Sequence, residues 1–161
     1  MTPLAKARGL ALIVPLALLG GAYGFQYVWS NLYPCEMCWW QRYAHFAALP
    51  FAILSLLAGS RLGGGRVLVW LAALAIFVSG AIGFWHAGIE LKLLPGATEC
   101  SAALAGTAEE MLKQTFDRPL IRCDDVQWSW LGISMAGWNA IVSILSAVAI
   151  LWLSLRKPKA A

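Results

Sequence analysis

The chain has 161 residues, 60% of them hydrophobic and only 12% charged, with a mean hydropathy of +0.69 and a formal net charge of +4. Soluble domains carry about a quarter charged residues, so half of an ordinary charged surface is missing. This excludes a water-soluble enzyme, a disordered or collagen-like chain and a basic nucleic-acid arm; the length holds one domain, residues 1–161.

Four apolar stretches follow in order, about Gly9–Trp29, Cys38–Ala58, Val67–Ile89 and Gly132–Leu155. Each is long enough, at about 1.5 Å of rise per residue, to cross a hydrocarbon core of roughly 30 Å as a helix. Helices are the required form, because lipid offers no partner for backbone amides and the segments lack the alternating polarity of a barrel. Lys6 and Arg8 ahead of the first stretch, with Gly20–Ala22 inside it, also match a cleaved signal peptide. The run continues through Phe25 to Trp29, however, which is longer than such a peptide's apolar core, and predicts a retained helix. Pro50 is expected to kink the second helix, and Gly63-Gly64-Gly65 to form the hairpin into the third.

The connecting segments sort by charge. Lys6, Arg8, Arg61, Arg66, Arg156, Lys157 and Lys159 lie on one side, in segments with no acid. All eight carboxylates, Glu36, Glu90, Glu99, Glu109, Glu110, Asp117, Asp124 and Asp125, lie on the other. The positive-inside rule then predicts an all-α, four-transmembrane-helix bundle with both termini cytoplasmic and two outer loops, 30–37 and 90–131. Trp29, Trp39, Trp40, Trp85, Trp128 and Trp130 mark the outer boundary and Trp70 and Trp152 the inner one. Within the long outer loop, Met111, Leu112 and Phe116 are spaced for a short helix over Ala108–Phe116 lying on the membrane surface.

All four cysteines, Cys35, Cys38, Cys100 and Cys123, fall at or beyond the outer boundary, where an oxidising compartment favours disulfides. Three pairings are open, and Cys35 with Cys38 and Cys100 with Cys123 is the economical one. Cys35-Glu36-Met37-Cys38 closes a very small ring where a loop feeds a helix, and the unpaired amides of a helix start favour a thiolate there. So small a ring adds little stability, which points to redox chemistry rather than a static clasp. Tetrathiolate zinc is disfavoured by the compartment, and Trp39 in place of histidine excludes a c-type haem.

In the second helix Cys38, Gln41, Arg42 and His45 stand at i, i+3, i+4 and i+7, on one face. An arginine within a span is a functional candidate, the alternative being a snorkelling anchor. Arg42 is placed to stabilise a Cys38 thiolate and to donate to a carbonyl oxygen gaining negative charge, as reduction of a quinone requires. Gln41 is a second donor or orients Arg42, and His86 supplies or relays a proton or is a satisfied interfacial histidine. His45, Ser134, Asn139, Ser143 and Ser146 read as packing contacts.

These residues resemble a family. Pro34-Cys35-Glu36-Met37-Cys38-Trp39-Trp40-Gln41-Arg42, the pair Cys100 and Cys123, and Trp128-Ser129-Trp130-Leu131-Gly132-Ile133-Ser134-Met135-Ala136-Gly137-Trp138-Asn139 are similar to the bacterial inner-membrane DsbB family, over nearly the whole chain. The resemblance implies a thiol:quinone oxidoreductase with its active site on the periplasmic side. In that scheme a DsbA-like, thioredoxin-fold oxidase attacks Cys100, the released Cys123 attacks Cys35, and Cys38 passes electrons to ubiquinone or menaquinone beside Arg42. Gln41 and His86 complete the expected quinone site, with no metal and no nucleic-acid partner. Vitamin K epoxide reductase homologues resemble the reverse order of cysteine motifs, and a non-enzymatic bundle braced by two disulfides is the alternative from another class.

Overall fold

The computed structural model describes residues 2–29, 32–58, 64–95, 107, 109 and 122–156. Its helices are α1 (Pro3–Gly24), α2 (Glu36–Leu57), α3 (Gly64–Glu90) and α4 (Met135–Leu155), with a π-helical segment, Phe25–Trp29, prolonging α1. Three of these, Pro3–Trp29, Gly65–Glu90 and Met135–Leu155, are long and apolar enough to cross a membrane. The sequence predicts four such spans; α2 is as long as α1, but it carries Glu36, Gln41, Arg42 and His45.

Local chemistry sets the boundaries. Thr2 caps α1 by accepting the Ala5 amide, with Pro3 at the first turn, so the helix starts ahead of Lys6 and Arg8. Arg8, read from sequence as a flanking charge, is therefore part of the helix and 9% exposed. Helix α2 continues through Pro50 to Leu57. The last helix begins at Met135 rather than Gly132, because Leu131 (φ 52°) and Gly132 (φ 77°) both adopt left-handed backbone. Two successive positive φ values make the turn of a two-residue hairpin. It joins β1 (Ser129–Trp130) to β2 (Ile133–Ser134), paired Ser129 with Ser134 and Trp130 with Ile133. Ser134 then caps α4 by accepting the Gly137 amide at 3.1 Å, and its side chain also bonds Glu90 at the end of α3, a contact between helices as expected for it.

Helix α3 packs along both α2 and α4, while α1 lies against those same two helices. The innermost core is built of small residues, Ala7, Ala11, Ala48, Ala52, Ala72, Ala73 and Ala147, with Val14, Val69, Ile76 and Ile150 filling between them. Small side chains let helix backbones approach closely, the contact that operates when lipid removes the hydrophobic drive between helices. A second cluster at the opposite end holds Cys35, Met37, Ile89 and Cys123. Between the two lies a buried polar layer of Gln41, His45, Ser79 and Ser143. The exterior is apolar, with Ile13, Leu57, Phe84 and Leu145 all more than 60% exposed.

Gly80 and Gly83 seat α3 against α4. A methyl group on Gly83 would lie 2.9 Å from the Ala136 carbonyl and 3.0 Å from the Asn139 amide, with the Ala140 backbone at 3.1 Å. Because two of the three obstructions are backbone, Gly83→Ala is expected to lower stability by about 1–3 kcal/mol. Thermal unfolding in detergent, read by helical circular dichroism, measures it, with Gly9→Ala, which meets nothing within 4 Å, as the control.

Candidate functional site: a sulfur relay beside an apolar cavity

The cysteine pair is built into the start of α2. Cys35 is the N-cap residue, extended at φ −71° and ψ 174°, and its sulfur accepts the Cys38 amide at 3.3 Å, taking the place usually held by a serine or aspartate oxygen. That geometry folds Cys38 back over Cys35, leaving the two Sγ atoms 2.9 Å apart, both as thiols. Cys35 is buried and Cys38 half-buried.

Cys123 reaches the same place from far along the chain. Its neighbour Asp124 is gripped by Lys92, 2.7 Å away just past the end of α3, and by Arg122 at 2.7 Å. Lys92 Nζ also donates to the Asp124 carbonyl at 2.9 Å. Arg122 first and Lys92 second hold the Asp124 carboxyl well below the usual carboxylate range. Stapled in this way, Cys123 is buried with its Sγ within 4.8 Å of both Cys35 Sγ and a ring nitrogen of His86. The hydrogen bond to Cys123, then that to Cys38, then burial push the Cys35 thiol far above its ordinary value.

The expected site residues are placed as follows. Arg42 is 7% exposed and turns toward α1, donating to Gln26 Oε1 and to the Ala22 carbonyl. Its guanidinium also lies over the rings of Tyr23 and Trp39, 4.8 and 5.1 Å from their centroids. Burial among π-faces and a fixed carbonyl is a partner set for a held charge, not for a snorkelling side chain. Gln41 does not orient Arg42. Its amide nitrogen donates to the Met37 carbonyl at 3.2 Å and meets His86 Nδ1 at 3.0 Å, while its oxygen accepts from Asn139 at 2.8 Å. His86 Nε2 stands 3.1 Å from the Cys123 carbonyl, 3.7 Å from Cys35 Sγ and 3.8 Å from Glu90 Oε1. His45, expected to pack, pairs with Asn139 Oδ1 at 3.0 Å. Cys100 and nearly all of the surface helix expected over 108–116 lie outside the described residues.

Beside the sulfurs is a cavity of about 270 Å³, walled mostly by apolar groups, among them Leu18, Leu19, Phe25, Trp128, Met135 and Trp138. Cys35, Cys38, Gln41, Arg42, His45, His86, Glu90 and Asn139 are among its polar groups, and Arg122, Asp125 and Gln127 also line it. A largely apolar pocket with a few convergent polar groups fits a flat ring compound better than a charged metabolite. Among the described residues, Cys35, His86 and Cys123 are the set spaced to ligate a metal ion.

Gln26 and Glu90 were not singled out from sequence. Gln26 stands out afterwards as an isolated amide in the otherwise apolar end of the first stretch, and Glu90 as the acid one helical turn beyond His86. Neither signal says which partner each will meet.

The chain matches the family profile described as Disulfide bond formation protein DsbB over residues 5–153. It is 31% identical to Disulfide bond formation protein B of Marinobacter nauticus over 157 residues, covering 92% of this chain and 90% of the relative. The Paracidovorax citrulli protein of the same name is 31% identical over 166 residues, covering 98% and 91%. That of an Azoarcus species is 30% identical over 133 residues, covering 78% and 77%. No solved structure matches. With a profile match along almost the full chain and relatives covered nearly end to end, the resemblance read from the cysteine and arginine motifs is borne out: the chain belongs to the DsbB family of disulfide bond formation proteins.

Proposed function

We propose that this protein is a membrane thiol:quinone oxidoreductase, reoxidising a DsbA-like thioredoxin-fold oxidase and passing the electrons to ubiquinone or menaquinone. The observation that carries the reading is the position of Cys35, with Cys38 Sγ at 2.9 Å on one side and Cys123 Sγ within 4.8 Å on the other, at the rim of a cavity shared with Arg42. A central sulfur with another sulfur on each side is the arrangement that disulfide exchange needs, since one attacks while the other departs.

The partner's thiolate attacks Cys100 of a Cys100–Cys123 disulfide, forming a mixed disulfide and releasing Cys123. Cys123 Sγ then attacks Cys35 Sγ; the Cys35–Cys38 bond breaks and its electron pair stays on Cys38. One disulfide has replaced another, with no net change of oxidation state. The partner's second cysteine takes the Cys100 sulfur's place in the mixed disulfide and leaves as oxidised product. Cys100 then restores the Cys100–Cys123 bond, leaving Cys35 and Cys38 as a dithiol that must surrender two electrons and two protons.

A bound quinone supplies the acceptor for those electrons and protons. Cys38 and Arg42 are the residues that would hold its ring, and the apolar wall of the cavity fits such a ring. Arg42, fixed by Gln26 and Ala22 before any ligand arrives, stabilises the Cys38 thiolate and a developing oxyanion at little reorganisation cost. Four crossings with both termini cytoplasmic, in the bacterial inner membrane, complete the proposal. The apolar exterior and the one-sided carboxylates support it, with α2 shielding its polar face inside the bundle.

The purified protein, given a reduced thioredoxin-fold oxidase and a soluble quinone analogue, is expected to bleach the quinone absorbance in a one-to-one ratio with thiol pairs consumed. Thiol loss without quinone reduction, or neither, overturns the reading.

A further inference from the structure

His86 stands beside the sulfurs, and both a proton acceptor and a hydrogen-bond donor are open roles for an imidazole there. The polar layer beneath it distinguishes the two. Gln41 and Asn139 each have an amide whose direction is set by a group that only accepts. The Met37 carbonyl, 3.2 Å from Gln41 Nε2, requires the nitrogen of Gln41 at that end. The Ser79 carbonyl, 3.2 Å from Asn139 Nδ2, requires the same of Asn139, and that nitrogen also donates to Gln41 Oε1 at 2.8 Å. The two amides therefore run head to tail.

The consequences fall at both ends. Gln41 offers an N–H to His86 Nδ1 at 3.0 Å, so Nδ1 must be the bare nitrogen and Nε2 must carry the proton. Asn139 Oδ1 faces His45 Nε2 at 3.0 Å, with Ser143 Oγ donating to the same oxygen at 3.1 Å, so His45 also carries its proton on Nε2. An independent observation agrees at His86: the Cys123 carbonyl, 3.1 Å from Nε2, can only accept. A bare nitrogen there would face that carbonyl with nothing to give.

We infer that Gln41 and Asn139 are positioning residues that lock His86 as a neutral Nε2–H donor, and that His86 clamps Cys123 beside Cys35 through the Cys123 carbonyl. With Nδ1 occupied by Gln41 and Nε2 protonated, His86 has no free lone pair with which to take a thiol proton. Holding the Cys123 backbone fixes the attacking sulfur relative to its target. The clamp's effect on exchange rests on the function proposed above; the tautomer does not.

Nitrogen-15 NMR on histidine-labelled full-length protein in detergent tests the lock, since the chain has only two histidines and His45→Gln assigns them. At neutral pH both imidazoles are expected to be neutral with the proton on Nε2. Asn139→Asp removes the donor to Gln41 Oε1 and sets a carboxylate against it, so the Gln41 amide turns, giving up the Met37 carbonyl for the stronger charge-assisted bond to the carboxylate, and presents its oxygen to His86 Nδ1. The His86 proton is then expected on Nδ1, and Cys123-to-Cys35 exchange about tenfold slower, the scale of one lost hydrogen bond. An Nδ1–H or imidazolium form of His86 in the unaltered protein overturns the inference, as does an unchanged His86 in folded Asn139→Asp. Should that variant not fold, the spectrum of the unaltered protein still decides. A correct tautomer in a protein that reduces no quinone would instead count against the proposed function.

Discussion

An Arg42→Gln variant is expected to retain cysteine exchange and to lose quinone reduction, with kcat down by about 10²–10³, the scale of removing one preorganised donor to a developing oxyanion. Glutamine keeps a polar amide at this position, so the gap left beside Gln26 and Ala22 is partly filled. What it lacks is charge, and with it the contacts to the Tyr23 and Trp39 rings. Arg42→Lys separates charge from shape: a point charge without the planar fork is expected to recover a part of the rate only. Stopped-flow reduction of a quinone analogue by pre-reduced protein, alongside thermal unfolding, makes the measurement. A quinone rate unchanged in folded Arg42→Gln would remove the guanidinium from the chemistry and leave it as a brace between α1 and α2.

The second large effect concerns the link between the loops. Cys123→Ser is expected to abolish turnover with a protein dithiol, a loss of about three orders of magnitude or more, as for other residues that act as one catalytic unit. Oxidation of a small dithiol entering directly at Cys35 and Cys38 is expected to persist, because that pair and the Arg42 side of the cavity are untouched. In the same experiment, a partner lacking its second cysteine should accumulate on the unaltered protein as a reductant-sensitive adduct through Cys100, visible on non-reducing electrophoresis. Equal loss with both substrates would mean that Cys123 serves the integrity of the site. Undiminished turnover with the protein partner would mean that electrons bypass Cys123.

The amino-acid sequence by itself determined the class and pointed to the chemistry proposed above. Apolar stretches of about 20 residues, carboxylates confined to position 36 and to 90–125, and the spacing of Cys35, Cys38 and Arg42 are properties of composition and helical period, and they survive without coordinates. What it blurred were the edges. Lys6 and Arg8 lie within α1 because Thr2 caps the helix ahead of them, and α4 waits for Met135 because Leu131 and Gly132 turn a hairpin. Tertiary structure alone decided partnership. Asn139, Gln41 and His86 sit on three helices, with 45 residues separating Gln41 from His86 and 98 separating it from Asn139. No periodicity along one helix says which side chain another will present to it. The direction of that hydrogen-bond chain depends on which backbone carbonyls are left over at Met37 and Ser79, and the approach of Cys123 to Cys35 depends on the ion pairs of Asp124 with Lys92 and Arg122. Such relations come into being when packing removes water and each buried polar group must find its complement among whatever neighbours the fold provides.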